Sequence, residues 1–335
     1  DKSGHRRDRG IPSAHVSGLN REGVVMRALV LGGGSVKGAF QAGAIAEILR
    51  SGWYPDAIYG VSVGALNGAY VANKVGESRL SSGADIAGDD ARAAWESIAN
   101  DLESLWRHKI TSFEVLGRKR GWLSLAWQIA WSNFDGLLKM DGLNKLVDRQ
   151  IAPHNLRRSI VKYYAFSVNI ANGELIKAGA NDPDICQYIL ASTRIPIVMP
   201  IERVANQPLL DGGIRDVAPL KHAIDDGAKE IMAVLCHPKG VSGVSLEFGK
   251  LTELANRLME IVVHEILTND IDQARRVNEA VKAGTDQQHR VVKLIEIRPE
   301  KSLNIQIEKF TPAQIAEMLE LGKATAQTAV SQSGI

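Results

Sequence analysis

No run of eighteen apolar residues occurs in this chain of 335, so nothing in it reads as a membrane-spanning helix. The first 23 residues are polar and Arg-rich and lack the apolar stretch of a signal peptide. Cysteine is nearly absent: Cys186 and Cys236 stand in apolar surroundings and make neither a disulfide framework nor a metal cluster. An excess of charge of one sign is missing too, because 40 Lys and Arg against 38 Asp and Glu leave a formal +2. That balance is unlike the basic footprint of a dedicated nucleic-acid binder. His264-Glu265 begins a zinc-protease motif, yet Thr268 stands where its second histidine is required. Acids at calcium-loop spacing are also wanting. The expectation is a soluble, cytoplasmic protein with no metal, no other cofactor and no nucleic-acid partner, whose ligands must be inferred from its site.

A hydrophobic content of 45% is enough to bury a substantial core. Residues 1–23 read as a flexible tail and residues 24–335 as one domain. Val24 to Leu31 is a short apolar run ending in glycines, and Gly38 to Leu49 follows with helical spacing. Ala57 to Gly60 then reads as a buried strand opening directly into a helix from Ala65 to Asn73. Asp89 to Ile110 and Gly121 to Gln150 are helical in pattern and hold five of the six tryptophans, which marks residues 75–140 as a helical insertion or lid. Asn172-Gly173 supplies the turn of a β-hairpin between Lys162 and Ala178. A helix from Pro183 to Ala191, a strand pair about Asn206, a helix from Pro219 to Gly227, and strands at Ile231 to Cys236 and Val291 to Ile297 follow. Residues 240–335 are otherwise helical, with one helix from Leu251 to Ala283 and another opened by the capping box of Thr311, Pro312 and Gln314. The alternation predicts an α/β fold around a mostly parallel sheet.

Three segments carry chemistry. In Gly60-Val61-Ser62-Val63-Gly64 a serine stands between strand and helix, where a sharp turn exposes its Oγ and small flanking residues let the two elements approach. Gly32-Gly33-Gly34-Ser35-Val36-Lys37-Gly38 leaves backbone N–H groups free to face an anion, as the oxyanion of acyl transfer requires. Asp211-Gly212-Gly213 ends a short strand and is by itself also a common turn signal. The glycine loop is not a P-loop, since Lys37 precedes Gly38. As a dinucleotide loop it lacks the acid expected at the end of the second strand.

In this order the three segments resemble the patatin-like phospholipases: a glycine loop with Lys or Arg before its last glycine, then Gly-x-Ser-x-Gly, then Asp-Gly-Gly. Ala191-Ser192 leading to Ile195-Pro196 and Pro200, and Pro219 after the aspartate, extend the likeness over Met26 to Pro219. The resemblance implies a three-layer α/β/α domain and a lipid acyl hydrolase without a cofactor, cleaving fatty-acyl esters of phospholipids or lysophospholipids. It makes Ser62 the nucleophile, Asp211 its base, and Gly33 and Gly34, with Gly32 adjoining, the oxyanion donors. Lys37, Gly38, Gly60, Gly64, Gly212 and Gly213 support the motifs. Read without the resemblance, the order Ser, Asp, His leaves a triad through His237 open, with His222, His264 and His289 as lesser candidates. Two other classes stand beside the hydrolase: a nucleotide-dependent enzyme and a noncatalytic lipid-binding protein. Trp122, Trp127 and Trp131, directly after Arg118-Lys119-Arg120, suit peripheral contact with an anionic membrane.

Overall fold

A computed structural model describes residues 25–78, 89–121, 136–240 and 251–334. The expected tail and Trp122, Trp127 and Trp131 lie outside the described residues. In chain order the elements are β1 (Arg27–Leu31), α1 (Gly38–Arg50), β2 (Ala57–Val61), α2 (Val63–Glu77), α3 (Asp89–Ser104), α4 (Phe113–Leu116), β3 (Arg118–Lys119), β4 (Leu138–Lys139), α5 (Asp141–Gln150) and α6 (Pro153–Arg158). There follow β5 (Lys162–Asn169), β6 (Glu174–Gly179), α7 (Ile185–Ser192), β7 (Glu202–Val204), β8 (Gln207–Asp211), α8 (Leu220–Asp225), β9 (Glu230–Val234), α9 (Leu251–Lys282), β10 (Lys293–Ile297) and α10 (Pro312–Ser333).

The central strands are apolar on both faces: all five residues of β2 and of β9 are buried, and four of the five in β1. Such strands need a layer on each side. Side chains alternate along β1, so Leu29 and Leu31 pack with α1, α2, α3 and α10, whereas Ala28 and Val30 pack with α8 and α9. The result is the three-layer α/β/α arrangement. Among the described residues one sheet has eight strands, with β10, β9, β1, β2 and β5 parallel in that order. β6 and β8 both run antiparallel to β5, and β7 pairs β8.

Turn chemistry is local and behaves as the residues dictate. Gly173 takes a φ of 74° at the β5–β6 turn, and Ala205 and Asn206 take 47° and 65° between β7 and β8. Thr311 and Gln314 cap α10 reciprocally. One stretch departs from its helical reading. Leu138–Lys139 is a strand paired with Arg118–Lys119, and helix resumes only at Asp141; Gly136, with a φ of 76°, turns the chain there. α3 also ends in a π turn at Leu105–Lys109 instead of running on unchanged to Ile110. Among the described residues no helix is long and apolar enough to cross a membrane.

α1 and α10 cross backbone to backbone. A Cβ on Gly43 would collide with the Leu319 carbonyl, and one on Gly322 with the Phe40 carbonyl. Neither obstacle is a flexible side chain, so relief requires a shift of the helix. Gly322→Ala is expected to destabilise the protein by about 1–3 kcal/mol. The denaturant midpoint should fall with the m-value unchanged; an unmoved midpoint would contradict the close crossing.

Candidate active site

β5 brings the site together. Its residues 164–166 pair with β2 and β6, and its residues 167–169 with β6 and β8, so β2 and β8 share the edge opposite β6. They reach it from opposite directions: Val61 lies against Phe166 and Asp211 against the next residue, Ser167. Residues 150 apart in sequence thereby meet where two strands end head to head.

At the end of β2 the chain turns into α2 through Ser62, whose φ of 57° and ψ of −126° belong to a region that non-glycine residues rarely occupy. The strain is held by neighbours. The Ser62 amide donates to Ser192 Oγ at 2.8 Å, and the Ser192 hydroxyl donates to the Phe166 carbonyl at 2.6 Å. Gly60 and Gly64 let the turn close: a Cβ on Gly60 would strike the Gly64 carbonyl, and one on Gly64 the Leu31 carbonyl. Ser192 carries no motif of its own in the sequence; only its place in the segment upstream of Asp211 hinted at it.

Asp211 is buried. Its amide donates to the Arg194 carbonyl at 3.0 Å, and its Oδ1 accepts from the Gly213 amide at 2.8 Å. Arg194, also buried, is pinned by Glu202 at 2.7 Å and Asn144 at 2.7 Å. Burial raises the Asp211 pKa to about 6, while hydrogen bonds from the Ser62 hydroxyl and the Gly213 amide favour the charged form. Gly212 and Gly213 form the short turn that follows the strand, with Gly212 tight against the Phe166 carbonyl.

The glycine loop lies against this pair, since a Cβ on Gly33 would be 3.3 Å from the Ser62 Cβ. Its three amides differ. Gly32 donates to the Val234 carbonyl at 3.1 Å and Gly33 to the Val217 carbonyl at 3.3 Å, so the Gly32 amide serves the sheet and not the site. The Gly34 amide has no acceptor among the described residues, and the Ser35 hydroxyl beside it is buried without a partner. A buried polar chain fixes the loop from below. Gln41 Nε2 donates to the Gly32 and Val234 carbonyls at 3.0 and 3.1 Å, Asn67 Nδ2 to Gln41 Oε1 at 3.0 Å, and Trp106 Nε1 to Asn67 Oδ1 at 2.9 Å. Gly38 leaves room for Val63 and the Trp106 ring. The half-buried Lys37 has its pKa lowered by burial, against the opposing pull of Cys236 and Glu260.

Ser62 opens on a cavity whose lining is largely apolar, including Trp106, Met140, Ile195 and Met199, with Ser35 and Thr193 among its polar residues. Trp106, Ile110, Leu116 and Met140 come from the expected insertion, whose described part walls the cavity. On the far side of the loop, Asp270 Oδ2 of α9 accepts from the Val217 and Ala218 amides at 3.2 and 3.1 Å. Burial raises the pKa of both Asp270 and its neighbour Asp216, and the nearby Asp270 carboxylate adds to the rise of Asp216. This pair steadies the segment whose Val217 carbonyl holds Gly33.

The histidines stand elsewhere. Burial, with Lys37, Arg298 and His264 nearby, pushes the His237 pKa down to about 3. Lys37 and Arg298 are cations, whereas a triad histidine is oriented by a carboxylate. His222 packs on Phe166 with ring centroids 4.8 Å apart, His264 bonds the Lys239 carbonyl, and His289 bonds Asp286. None lines the cavity.

Two outcomes follow from this geometry. Ser62→Ala removes one of the bonds favouring the Asp211 carboxylate and leaves its burial intact, so a carboxyl NMR titration should place its midpoint higher than in the wild type; a midpoint equal or lower would contradict the contact. Ser192→Ala orphans the Ser62 amide and the Phe166 carbonyl together, and should cost about 1–3 kcal/mol in chemical denaturation, whereas unchanged stability would mean that Ser192 does not hold the turn.

The family described as Patatin-like phospholipase matches residues 29–224. Two solved structures are similar: VipD from Legionella pneumophila, at 13% identity and a TM-score of 0.39 over 92% of this chain and 67% of that one, and the type III effector protein ExoU, at 13% identity and a TM-score of 0.33 over 92% of this chain and 53% of that one. No curated protein sequence matches the chain. The family match runs over more than half of the chain, from within β1 into α8, and takes in the glycine loop, Ser62 and Asp211: the chain belongs to the patatin-like phospholipase family.

Proposed function

We propose that the protein hydrolyses fatty-acyl esters of phospholipids or lysophospholipids through a dyad of Ser62 and Asp211. The observation that carries this reading is the buried Asp211 carboxylate, whose charged form the Ser62 hydroxyl favours, beside an apolar cavity that Ser62 itself lines. Asp211 accepts the hydroxyl proton as Ser62 Oγ bonds to the ester carbonyl carbon. The carbonyl π pair moves to oxygen, and backbone amides receive that oxyanion. Gly34 is the foremost donor because its amide is unspent; Gly33 can join by lengthening its 3.3 Å bond to Val217, and Gly32 takes no part. The C–O bond to the alcohol then breaks, with the proton of Asp211 passing to the leaving oxygen. Water repeats the sequence on the acyl-enzyme and releases the fatty acid. These steps draw on no cofactor.

A carboxylate near its usual pKa is a weak base at neutral pH. Burial brings Asp211 up to about 6, which strengthens it while leaving it ionised at neutrality. The apolar cavity favours an acyl chain by about 0.8 kcal/mol for each methylene it takes from water.

Ser62→Ala and Asp211→Asn should each lower hydrolysis at least about a thousandfold, and a fluorophosphonate should label the wild type at Ser62. Wild-type kcat/KM should rise with pH through about 6 as Asp211 loses its proton, and His237→Ala should keep most activity. A folded but inactive His237→Ala enzyme would overturn the dyad in favour of a triad. Silence toward the fluorophosphonate and toward a panel of phospholipid, lysophospholipid and neutral esters would favour a lipid binder of the same fold.

A further inference from the structure

Among the described residues that line the cavity, the side-chain donors are Ser35, Ser62, Trp106 and Thr193. Three of them are committed. The Ser62 hydroxyl acts on Asp211, Trp106 Nε1 donates to Asn67 Oδ1 at 2.9 Å, and the Thr193 hydroxyl donates to the Leu190 carbonyl at 2.7 Å. The fourth is not: Ser35 Oγ is buried without a hydrogen-bond partner.

Ser35 also holds a backbone angle that serine seldom takes. Its φ of 53° lies in the left-handed region, where a Cβ is strained and glycine is not. Glycine at this position would relieve the backbone and leave no orphan hydroxyl, yet it is serine that follows directly on three glycines. A buried polar group without a partner calls for an explanation, and strain of this kind gathers at functional sites. The loop also holds the residue in place. A Cβ on Gly33 would meet Ser62, and one on Gly34 would strike Cys236. Beyond Ser35 the Lys37 amide closes the turn on the Gly34 carbonyl at 3.1 Å, and Cys236 Sγ donates to the Lys37 carbonyl at 3.7 Å.

Little that enters this cavity could use the hydroxyl. An acyl chain has no polar atom, and beside Ser62 an ester presents its carbonyl oxygen and its alcohol oxygen. The alcohol oxygen takes the proton that Asp211 returns to it. The carbonyl oxygen needs donors, and the glycine loop offers it one unspent amide, that of Gly34, immediately before Ser35.

We propose that the Ser35 hydroxyl donates to the substrate carbonyl oxygen and completes, with the Gly34 amide, the site that receives the oxyanion. Ser35 keeps its proton throughout. Its bond tightens as Ser62 Oγ joins the carbonyl carbon and the π pair moves to oxygen, and it relaxes when the bond to the alcohol breaks and that pair returns. A fixed donor aimed where charge develops acts more strongly on the transition state than on the neutral ester. The role rests on the hydrolase reading above.

The test compares wild type, Ser35→Ala and Ser35→Gly on a soluble short-chain nitrophenyl ester. Loss of one oxyanion donor slows turnover by about 100- to 1,000-fold, so kcat should fall by about a hundredfold in both variants with KM little changed. A trifluoromethyl ketone, whose adduct with Ser62 carries the oxyanion, should lose affinity by a similar factor. Denaturant midpoints separate this role from one in folding: Ser35→Ala should be as stable as wild type or more so, because the hydroxyl it deletes has no partner. An active wild type matched in kcat by either variant would overturn the role alone. So would a Ser35→Ala loss confined to KM, or one accompanied by lower stability. A wild type that neither turns over the ester nor takes a fluorophosphonate at Ser62 would overturn the hydrolase, and this role with it.

Discussion

The structure depends on a shared edge. β5 offers one side to β2 and β8 in succession, and those strands arrive from opposite directions with Val61 and Asp211 at consecutive registers. A one-residue slip of β8 would carry Asp211 to the other face of the sheet, away from Ser62. Within β8, Leu209, Leu210 and Asp211 are buried while Gln207 is exposed. Ser192 ties the two registers together, because one hydroxyl accepts from the Ser62 amide and donates to the Phe166 carbonyl of β5. The strained turn is thus fastened to the same strand, β5, against which Asp211 is registered.

Burial determines what this pair can do. A carboxylate taken out of water becomes a stronger base, and the Ser62 hydroxyl and the Gly213 amide act in the opposite direction, favouring the charged form. Burial likewise drives the basicity of His237 down, with Lys37 and Arg298 close by. Beside Ser62 the polar groups hold one another: Gln41, Asn67 and Trp106 bond in sequence from the glycine loop to the cavity wall. Fixed donors of this kind need no reorganisation when charge develops.

Much of this was legible in the sequence because strand-to-helix turns advertise themselves locally. Gly60, Gly64 and the glycines after β1 mark places where backbone must pass backbone, and the apolar runs around them announce buried parallel strands. Asp211 was legible as a turn, and became a site residue only through its order after Ser62. What could not be read is what depends on contacts between distant segments. The commitment of the Gly32 amide to Val234, the support of Ser62 by Ser192 across 130 residues, and the clasp of Asp270 on Val217 arise from sheet order, which no local pattern encodes. Residues 136–140 were misread because a strand of two residues leaves no period to detect, and its partner, Arg118–Lys119, lies elsewhere in the insertion. The crossing of α1 over α10 was equally hidden: Gly43 and Gly322 look like ordinary helix-weakening glycines until the helices are placed together.

The central claim is that acyl transfer passes through Ser62 with Asp211 as its base. Its most direct test is to quench the protein during turnover of an acyl ester and locate the covalent intermediate by mass spectrometry. The account predicts an added acyl mass on the peptide that contains Ser62, formed by the wild type and lost in the Asp211→Asn protein. Turnover with the acyl group on any other residue, or an adduct on Ser62 that forms equally fast without the Asp211 carboxylate, would contradict it.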